Sequence, residues 1–465
     1  MHASRRNGLS KTNRFLGLAL LSLGAREAIA VTGPCDIYAT AGNPCAAAHS
    51  TVRALFGAYT GKLYQVRRAD NTTKDILPLS AGGAADGASQ DSFCTSACVV
   101  TKVYDQTGKG NDLEYQGSGS TPGGKDNPST ATKESFMLDG HKVYSLWIDG
   151  TQSTTAPGST TNNPNSYWVD GSKKGVPTGS SPEGVYMVTS GTHYNSGCCF
   201  DYGNSETDRK ADGAGAMDAI YFGSSCWFSS TSSYKCNTGS GPWIQADLEY
   251  GLFASNSSTT WNSQDVSFTN KYVTAMLKNG GTNTFALKGG NAQSGSLTTL
   301  WDGKSPYSKM VKQGAIVLGS GGDCCATNNN MSAGTFYEGA ITAGSSIPSN
   351  ATDDAIQANI VAAGYGRTTT GLGAPILPGE KQVFLHYNPE NSQATIAYTL
   401  DTPRTVEMEV YDVRGSRIAR VRSGFQTSGL HSLVWDAKGA TPGMYVVRLI
   451  VDGTTGWSEG MLVGR

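Results

Sequence analysis

An all-β chain organised as two sheet-packed domains is what this sequence predicts, on three observations. Short apolar stretches alternate with loops rich in Gly, Ser, Thr and Asn over most of the first 345 residues. Charged residues make up only 16% while glycine reaches 59 of 465, a balance that favours many turns over long helices. After residue 383 the strands are cysteine-free and rich in arginine, so the composition changes where a second domain would begin.

The N-terminus reads as an export leader. Arg5, Arg6, Lys11 and Arg14 precede the apolar run from Phe15 to Ala25, and Ala28-Ile29-Ala30 forms a small-x-small cleavage site. Residues 1–30 are therefore expected to be a signal peptide and the mature chain to be secreted. The run is too short to span a bilayer, and nothing later is longer and as apolar. Five basic residues against Glu27 give the leader a net +4, so the remainder of a chain of net −1 carries about −5. A mildly acidic chain offers no basic face to a phosphate backbone, and nucleic acid is not an expected partner.

Along the chain, GPCDIYATAGNPCAAAHSTVRALF reads as a cysteine-clipped loop followed by one short helix. KLYQVRRA and SACVVTKVYDQTG read as strands. EGVYMVTS, DAIYFG, WIQADLEYGLF, KYVTAMLK, TFALKG, AIVLGS and GTFYEGAI follow at the spacing of a β-sandwich. The helix TDDAIQANIVAAG carries Ile356 and Ile360 four apart, acids at its start and Gly364 at its end. It closes a first domain at residues 31–366. RTTTGLGAPILPGEK is a linker, residues 367–382, and residues 383–465 read as a separate small β-sandwich.

Ten cysteines in an exported chain suggest five disulfides, all in the first domain. Cys35–Cys45, Cys94–Cys98 and Cys226–Cys236 are local pairs that could each clip one loop. Cys198, Cys199, Cys324 and Cys325 form two adjacent doublets, which allow either a ladder between doublets or two vicinal bonds. The ladder has the easier geometry, because adjacent Cα atoms lie about 3.8 Å apart across a trans peptide. Neither the cysteine spacing nor the scattered histidines matches a zinc site, so no metal and no cofactor is expected.

Acid–base chemistry points to GPWIQADLEYGLF. Alternation places Trp243, Gln245, Asp247 and Glu249 on one face, read as exposed, and Ile244, Ala246 and Leu248 on the core face. An aromatic ring with two carboxylates suits a carbohydrate, although a solvated outer face has the same pattern. A second candidate is VLGSGGDCC, where a strand runs into a glycine loop presenting Asp323. Two carboxyls meet the need of glycoside hydrolysis. Gly456-Trp457-Ser458-Glu459-Gly460 matches GxSxG, but it reads as a turn with no following helix and no histidine to serve it.

Taken together, GPCDIY…PCAAAHSTVRALF, LYQVRR, VYDQTGKGNDL, GTHYNSGCCFDYGN, GPWIQADLE, GAIVLGSGGD and GTFYEG resemble the catalytic domain of glycoside hydrolase family 54 over residues 33–365. That family consists of secreted α-L-arabinofuranosidases. The resemblance implies a concanavalin-like β-sandwich and a retaining two-carboxylate mechanism. It implies Glu249 as nucleophile, Asp323 as acid/base, and Asp247 as a sugar ligand. It also implies a vicinal Cys198–Cys199 disulfide lining the pocket, which by parity pairs Cys324 with Cys325. Trp227, Gly322 and Tyr250 complete the implied substrate contacts. Tyr250 departs from the family, which usually has Asn there, and Cys226–Cys236 and Cys324–Cys325 look like additions.

The implied activity is exo-acting release of arabinofuranosyl side chains from arabinoxylan or arabinan of plant cell walls, by a monomer. The tail, with VYDVRG, GLHSLVWDAKG and GMYVVRLIVDG, resembles C-terminal sorting domains of bacterial type IX secretion, against a plain immunoglobulin-like spacer. The implied partner is the secretion machinery, with export across an outer membrane and attachment at the surface. β-Xylosidase activity and a non-catalytic carbohydrate-binding module are the competing readings. The presence of both Glu249 and Asp323 argues against the module.

Overall fold

Pro34 opens a short helix, Pro34–Thr40, where a loop was expected. Proline at the first turn loses no hydrogen bond, and Asp36 Oδ2 accepts the Gly33 N–H at 2.8 Å. The expected helix after the clip is instead a strand, Cys45–Ser50, all six residues buried. Alanine's helix preference yields there to pairing with the Ala333–Ala343 strand.

The computed structural model describes residues 32–115, 126–150, 164–225, 237–258, 260–281, 283–320, 331–367, 383–388, 392–400, 403–427 and 429–463. They fall into two units, one within residues 32–367 and one within 383–463. Both are built of strands, with three helices among the described residues, all in the first unit. No described helix is long and apolar enough to cross a membrane. The expected leader, residues 1–30, and residues 368–382 of the expected linker lie outside the described residues.

In the first unit two sheets carry the fold. The smaller runs Cys45–Ser50, Ala333–Ala343, Glu183–Thr189, Val273–Asn279, Phe285–Asn291, Thr298–Gly303, with Leu146–Asp149 also on Ala333–Ala343. The larger includes, in order, Leu252–Phe253, Trp243–Asp247, Asp218–Gly223, Phe200–Ser205, Ala315–Ser320 and Ser166–Asp170. The Asp218–Gly223 and Trp243–Asp247 strands lie against the smaller sheet. Ile220, Phe222, Ile244 and Ala246 from one sheet share a core with Val185, Met187, Ala275 and Leu287 from the other. Burial of such side chains stabilises by roughly 1.5–3 kcal/mol each. A Cβ at Gly289 would overlap Ile244 Cδ1 and the Phe268 ring, so glycine there lets the Trp243–Asp247 strand seat closely.

A buried ionic clamp also joins the sheets. Lys312 Nζ lies 2.7 Å from Glu183 Oε2 and 3.2 Å from Asp218 Oδ2, with all three side chains fully buried. Asn204 Nδ2 donates to Glu183 at 3.0 Å and Asn279 Nδ2 to Asp218 at 3.2 Å. The helix Asn350–Ala362 is capped by Ser349, whose Oγ accepts the Thr352 N–H, and buries Ile356 and Ile360. Lys278 and Lys288 both reach Asp353, at 2.6 and 2.7 Å, and fasten the helix to the smaller sheet.

The second unit has a three-stranded sheet (Val383–Asn388, Gln393–Leu400, Gly429–Asp436) and a four-stranded one (Arg417–Gln426, Arg404–Asp412, Gly443–Val451, Thr454–Val463). Tyr445, Val447, Leu449 and Val451 alternate inward along one strand, onto Val406, Met408, Val410 and Trp435. The GxSxG segment is not in a turn. It lies in the Thr454–Val463 strand, with Ser458 opposite Arg448. A strand interior lacks the sharp elbow that would present such a serine.

Candidate active site

The site is built on one strand and the turn that ends it. Trp243–Asp247 pairs with Asp218–Gly223, in the register Tyr221 to Gln245 and Ala219 to Asp247. Ile244 and Ala246 face the core, so Trp243, Gln245 and Asp247 share the opposite face with Ala219 and Tyr221.

That face is not exposed, as expected from sequence, but recessed. Trp243 is 6% exposed, Gln245 2% and Asp247 5%. Trp243 Nε1 donates to the Thr238 carbonyl at 3.0 Å, and Gln245 Nε2 to the Ser225 carbonyl at 3.2 Å. Segments that alternation cannot foresee have folded over it. Chief among them is Gly197–Phe200. Cys198 is bonded to Cys199 through a cis peptide, and the pair packs with Tyr221 and Leu252.

Asn195 positions that segment. Its Oδ1 accepts the N–H groups of Gly197 at 2.9 Å and Ala333 at 3.0 Å, and its Nδ2 donates to the Met331 carbonyl at 2.8 Å. His193 stacks on Trp147 at 3.4 Å between ring centroids and bonds Thr335 Oγ1 through Nδ1 at 2.8 Å. Burial lowers the His193 pKa to about 4, so the ring is neutral near pH 7.

Glu249 lies beyond the strand, which stops at Asp247. Glu249 and Tyr250 have φ of +58° and +54°, the pattern of a two-residue type I′ turn. The turn is closed by the Leu248 N–H donating to the Gly251 carbonyl at 3.3 Å. Asp247 Oδ1 accepts the Glu249 N–H at 3.1 Å, and Tyr307 Oη donates to the Glu249 carbonyl at 3.0 Å. Glu249 is 4% exposed and Tyr250 54%. The turn therefore holds a carboxylate inward and a phenol ring outward.

Asp247, Cys198 and Cys199 are thus brought into one recess, and the buried Glu249 is tied to it through its main chain. An Asp247 carboxylate oxygen and both sulfurs lie within 4.8 Å of one another. The sulfurs are joined to each other and are not thiolates, so this trio is a mixed apolar and anionic surface rather than a ligand set for a metal. Asp323, Gly322, Trp227, and the Cys226–Cys236 and Cys324–Cys325 pairs lie outside the described residues. The two residues bounding 321–330 are fixed beside the recess. Ser320 pairs with Phe200, and Met331 accepts from Asn195. Cys35–Cys45 and Cys94–Cys98 are bonded.

Three residues of the recess were not singled out from sequence. Tyr221 has a raised pKa, from burial first, with Asp201 and Asp247 adding to it. Asp201 is 1% exposed and stands opposite Tyr221 on the neighbouring strand. Tyr307 is pushed up to about 12 by burial, then by Asp247 and Glu249. Alternation in FDYGN and DAIYFG could have put Asp201 and Tyr221 on one face, given the register. Tyr307 lies in an aperiodic loop and left no signal.

Residues 34–366 match the family described as alpha-L-arabinofuranosidase B, catalytic. The chain is 42% identical over 457 residues to an Emericella nidulans protein called alpha-L-arabinofuranosidase B, covering 94% of this chain and 83% of that protein. It is 43% identical over 396 residues to a Trichoderma koningii arabinofuranosidase/B-xylosidase, covering 83% and 73%. A crystal structure of an arabinofuranosidase complexed with arabinofuranosyl-alpha-1,2-xylobiose superposes with a TM-score of 0.62. It is 39% identical and covers 83% of this chain and 76% of its own.

Proposed function

Since this chain belongs to the α-L-arabinofuranosidases of glycoside hydrolase family 54, we propose that it is a secreted, retaining, exo-acting enzyme that removes terminal arabinofuranosyl groups from arabinoxylan or arabinan. The observation that carries this is the recess itself. Asp247 and Glu249 are tied together by a hydrogen bond, and the Cys198–Cys199 disulfide lies beside Asp247.

In this reading a furanose ring enters with one face on the disulfide. Asp247 accepts from a sugar hydroxyl. A Glu249 carboxylate oxygen attacks the anomeric carbon as the glycosidic bond breaks, and Asp323 gives its proton to the leaving oxygen. Water then loses a proton to Asp323 and attacks the glycosyl ester, which restores Glu249 and retains configuration. Retention requires the Glu249 and Asp323 carboxyls to lie about 5–5.5 Å apart. Trp227 and Gly322 line the same pocket in this proposal. A stiff apolar wall suits a small sugar because little order is lost on binding.

The proposed fold is a concanavalin-like sandwich for the first unit, and an immunoglobulin-like, non-catalytic one for the second. The leader residues support secretion. The VYDVRG and GMYVVRLIVDG motifs support sorting through a type IX outer-membrane route. A second activity, β-xyloside hydrolysis, is favoured by one observation, the dual name of the Trichoderma koningii relative.

Proton NMR of an aryl α-L-arabinofuranoside, with an aryl β-D-xylopyranoside in parallel, tests the reading. The first product anomer should retain configuration. Glu249→Gln should lower turnover by about 10³-fold or more while the protein stays folded. Wild-type rates in Glu249→Gln would remove Glu249 from the mechanism.

A further inference from the structure

Tyr250 is an unusual residue to find where it stands. A left-handed conformation is costly for a non-glycine residue, and the second position of a type I′ turn strongly favours glycine. Tyr250 holds φ +54° there, directly after Glu249 at +58°. The turn is over-determined by its neighbours. Asp247 accepts the Glu249 N–H, Tyr307 donates to the Glu249 carbonyl, and Gly215 N–H donates to the Leu248 carbonyl at 2.7 Å. Strain held in place by surrounding bonds beside reacting groups points to a use for the residue that bears it.

The ring's surroundings indicate the use. One edge, at Cε2, lies 3.8 Å from where a Cβ on Gly213 would be, so a side chain at Gly213 would meet the ring. The ring is nonetheless 54% exposed, whereas Asp247, Glu249 and Cys199 are each within 4–5%. Val311, 46% exposed, is tied to the same loop by its N–H on the Gly215 carbonyl at 2.9 Å. The recess keeps Asp247 and Cys199 out of solvent. The aromatic stands at its rim, next to the residue that would attack the anomeric carbon.

Resting on the arabinofuranosidase reading, we propose that Tyr250 is the platform for the sugar on the leaving-group side. Its ring stacks on the C–H face of a pyranose, such as the xylose that bears the arabinofuranosyl group. An aromatic face suits such a ligand because stacking needs no hydrogen-bond register and tolerates several linkages. Tyr250 thereby sets selectivity for decorated pyranose chains over small leaving groups.

The test compares kcat/KM on arabinofuranosyl-α-1,2-xylobiose with kcat/KM on methyl α-L-arabinofuranoside, whose leaving group has no ring. The proteins are wild type and the variants Tyr250→Ala, Tyr250→Asn, Tyr250→Phe and Tyr250→Trp. Asparagine tolerates the left-handed turn, so that variant guards against misfolding. The Ala and Asn variants should lower the xylobioside-to-methyl ratio by about five- to tenfold, mainly through KM, and Phe or Trp should restore it. An unchanged ratio, or equal loss on both substrates, overturns the platform. A folded wild type that hydrolyses neither substrate overturns the arabinofuranosidase reading instead.

Discussion

Asp247 Oδ1 accepts the backbone N–H of Glu249 at 3.1 Å, so one carboxylate of the recess fixes the main chain that presents the other. Asp247→Asn keeps an oxygen acceptor and should preserve the turn. Asp247→Ala leaves that buried N–H without this acceptor and should cost about 1–3 kcal/mol in urea unfolding. Both variants should lose at least tenfold in kcat/KM on an aryl arabinofuranoside, with Ala the worse. Equal stability of Ala and wild type would show that the bond does not hold the turn.

Alternation made the strand's two faces legible. Ile244 and Ala246 go to the core, and Trp243, Gln245 and Asp247 to the other side. The depth of the second face was not legible, because Gly197–Phe200 covers it from about fifty residues away in sequence. Period two was also carried on to Glu249, although the strand stops at Asp247. A left-handed turn, not the strand, aims it inward, and a Glu-Tyr pair carries no turn signature. Near the N-terminus, Pro34 marked a helix start that the cysteine spacing obscured, and three alanines hid a buried strand. The helix at Asn350–Ala362 was legible because Ile356, Ile360 and Gly364 follow simple rules.

The disulfide packs with Tyr221 and Leu252 and carries no charge, so its expected contribution is to binding. Replacing both Cys198 and Cys199 by alanine should raise KM for an arabinofuranoside by about fivefold, roughly 1 kcal/mol, with a smaller change in kcat. A non-reducing peptide map should yield one peptide with both sulfurs bonded to each other. A cross-link from either residue to Cys324 or Cys325 would contradict the bond seen here.

The clamp between the sheets predicts a pH dependence of stability. Burial raises Glu183 from its ordinary 4.5 to about 7, with Asp218 adding and Lys312 opposing. Asp218 is raised as well, chiefly by burial. Burial alone would lower Lys312, but the two carboxylates together outweigh it. A carboxyl whose folded pKa is raised binds its proton more tightly in the folded state. Its contribution is complete below about pH 4.5 and is lost as pH rises through about 7. The melting temperature should therefore fall across that window, and Glu183→Gln should flatten the fall. Lys312→Met leaves two buried carboxyls without their cation and should cost about 3–5 kcal/mol at pH 7. A flat wild-type profile with a sloping Glu183→Gln profile would put the titrating group elsewhere.

Tyr307 offers a way to separate the turn's geometry from its charge. Its ring meets Phe253 edge-on at 5.3 Å, and its hydroxyl donates to the Glu249 carbonyl at 3.0 Å. Tyr307→Phe keeps the ring packing and removes only the donor. The loss should be about 1 kcal/mol of stability, the net worth of one hydrogen bond. If that bond also aims Glu249, kcat should fall several-fold while KM stays close to wild type. A shifted attacking oxygen weakens the transition state more than it weakens substrate binding. A rise in KM with kcat unchanged would instead place Tyr307 against the sugar. Single-turnover measurement of arabinose release distinguishes the two, since only the first slows the chemical step.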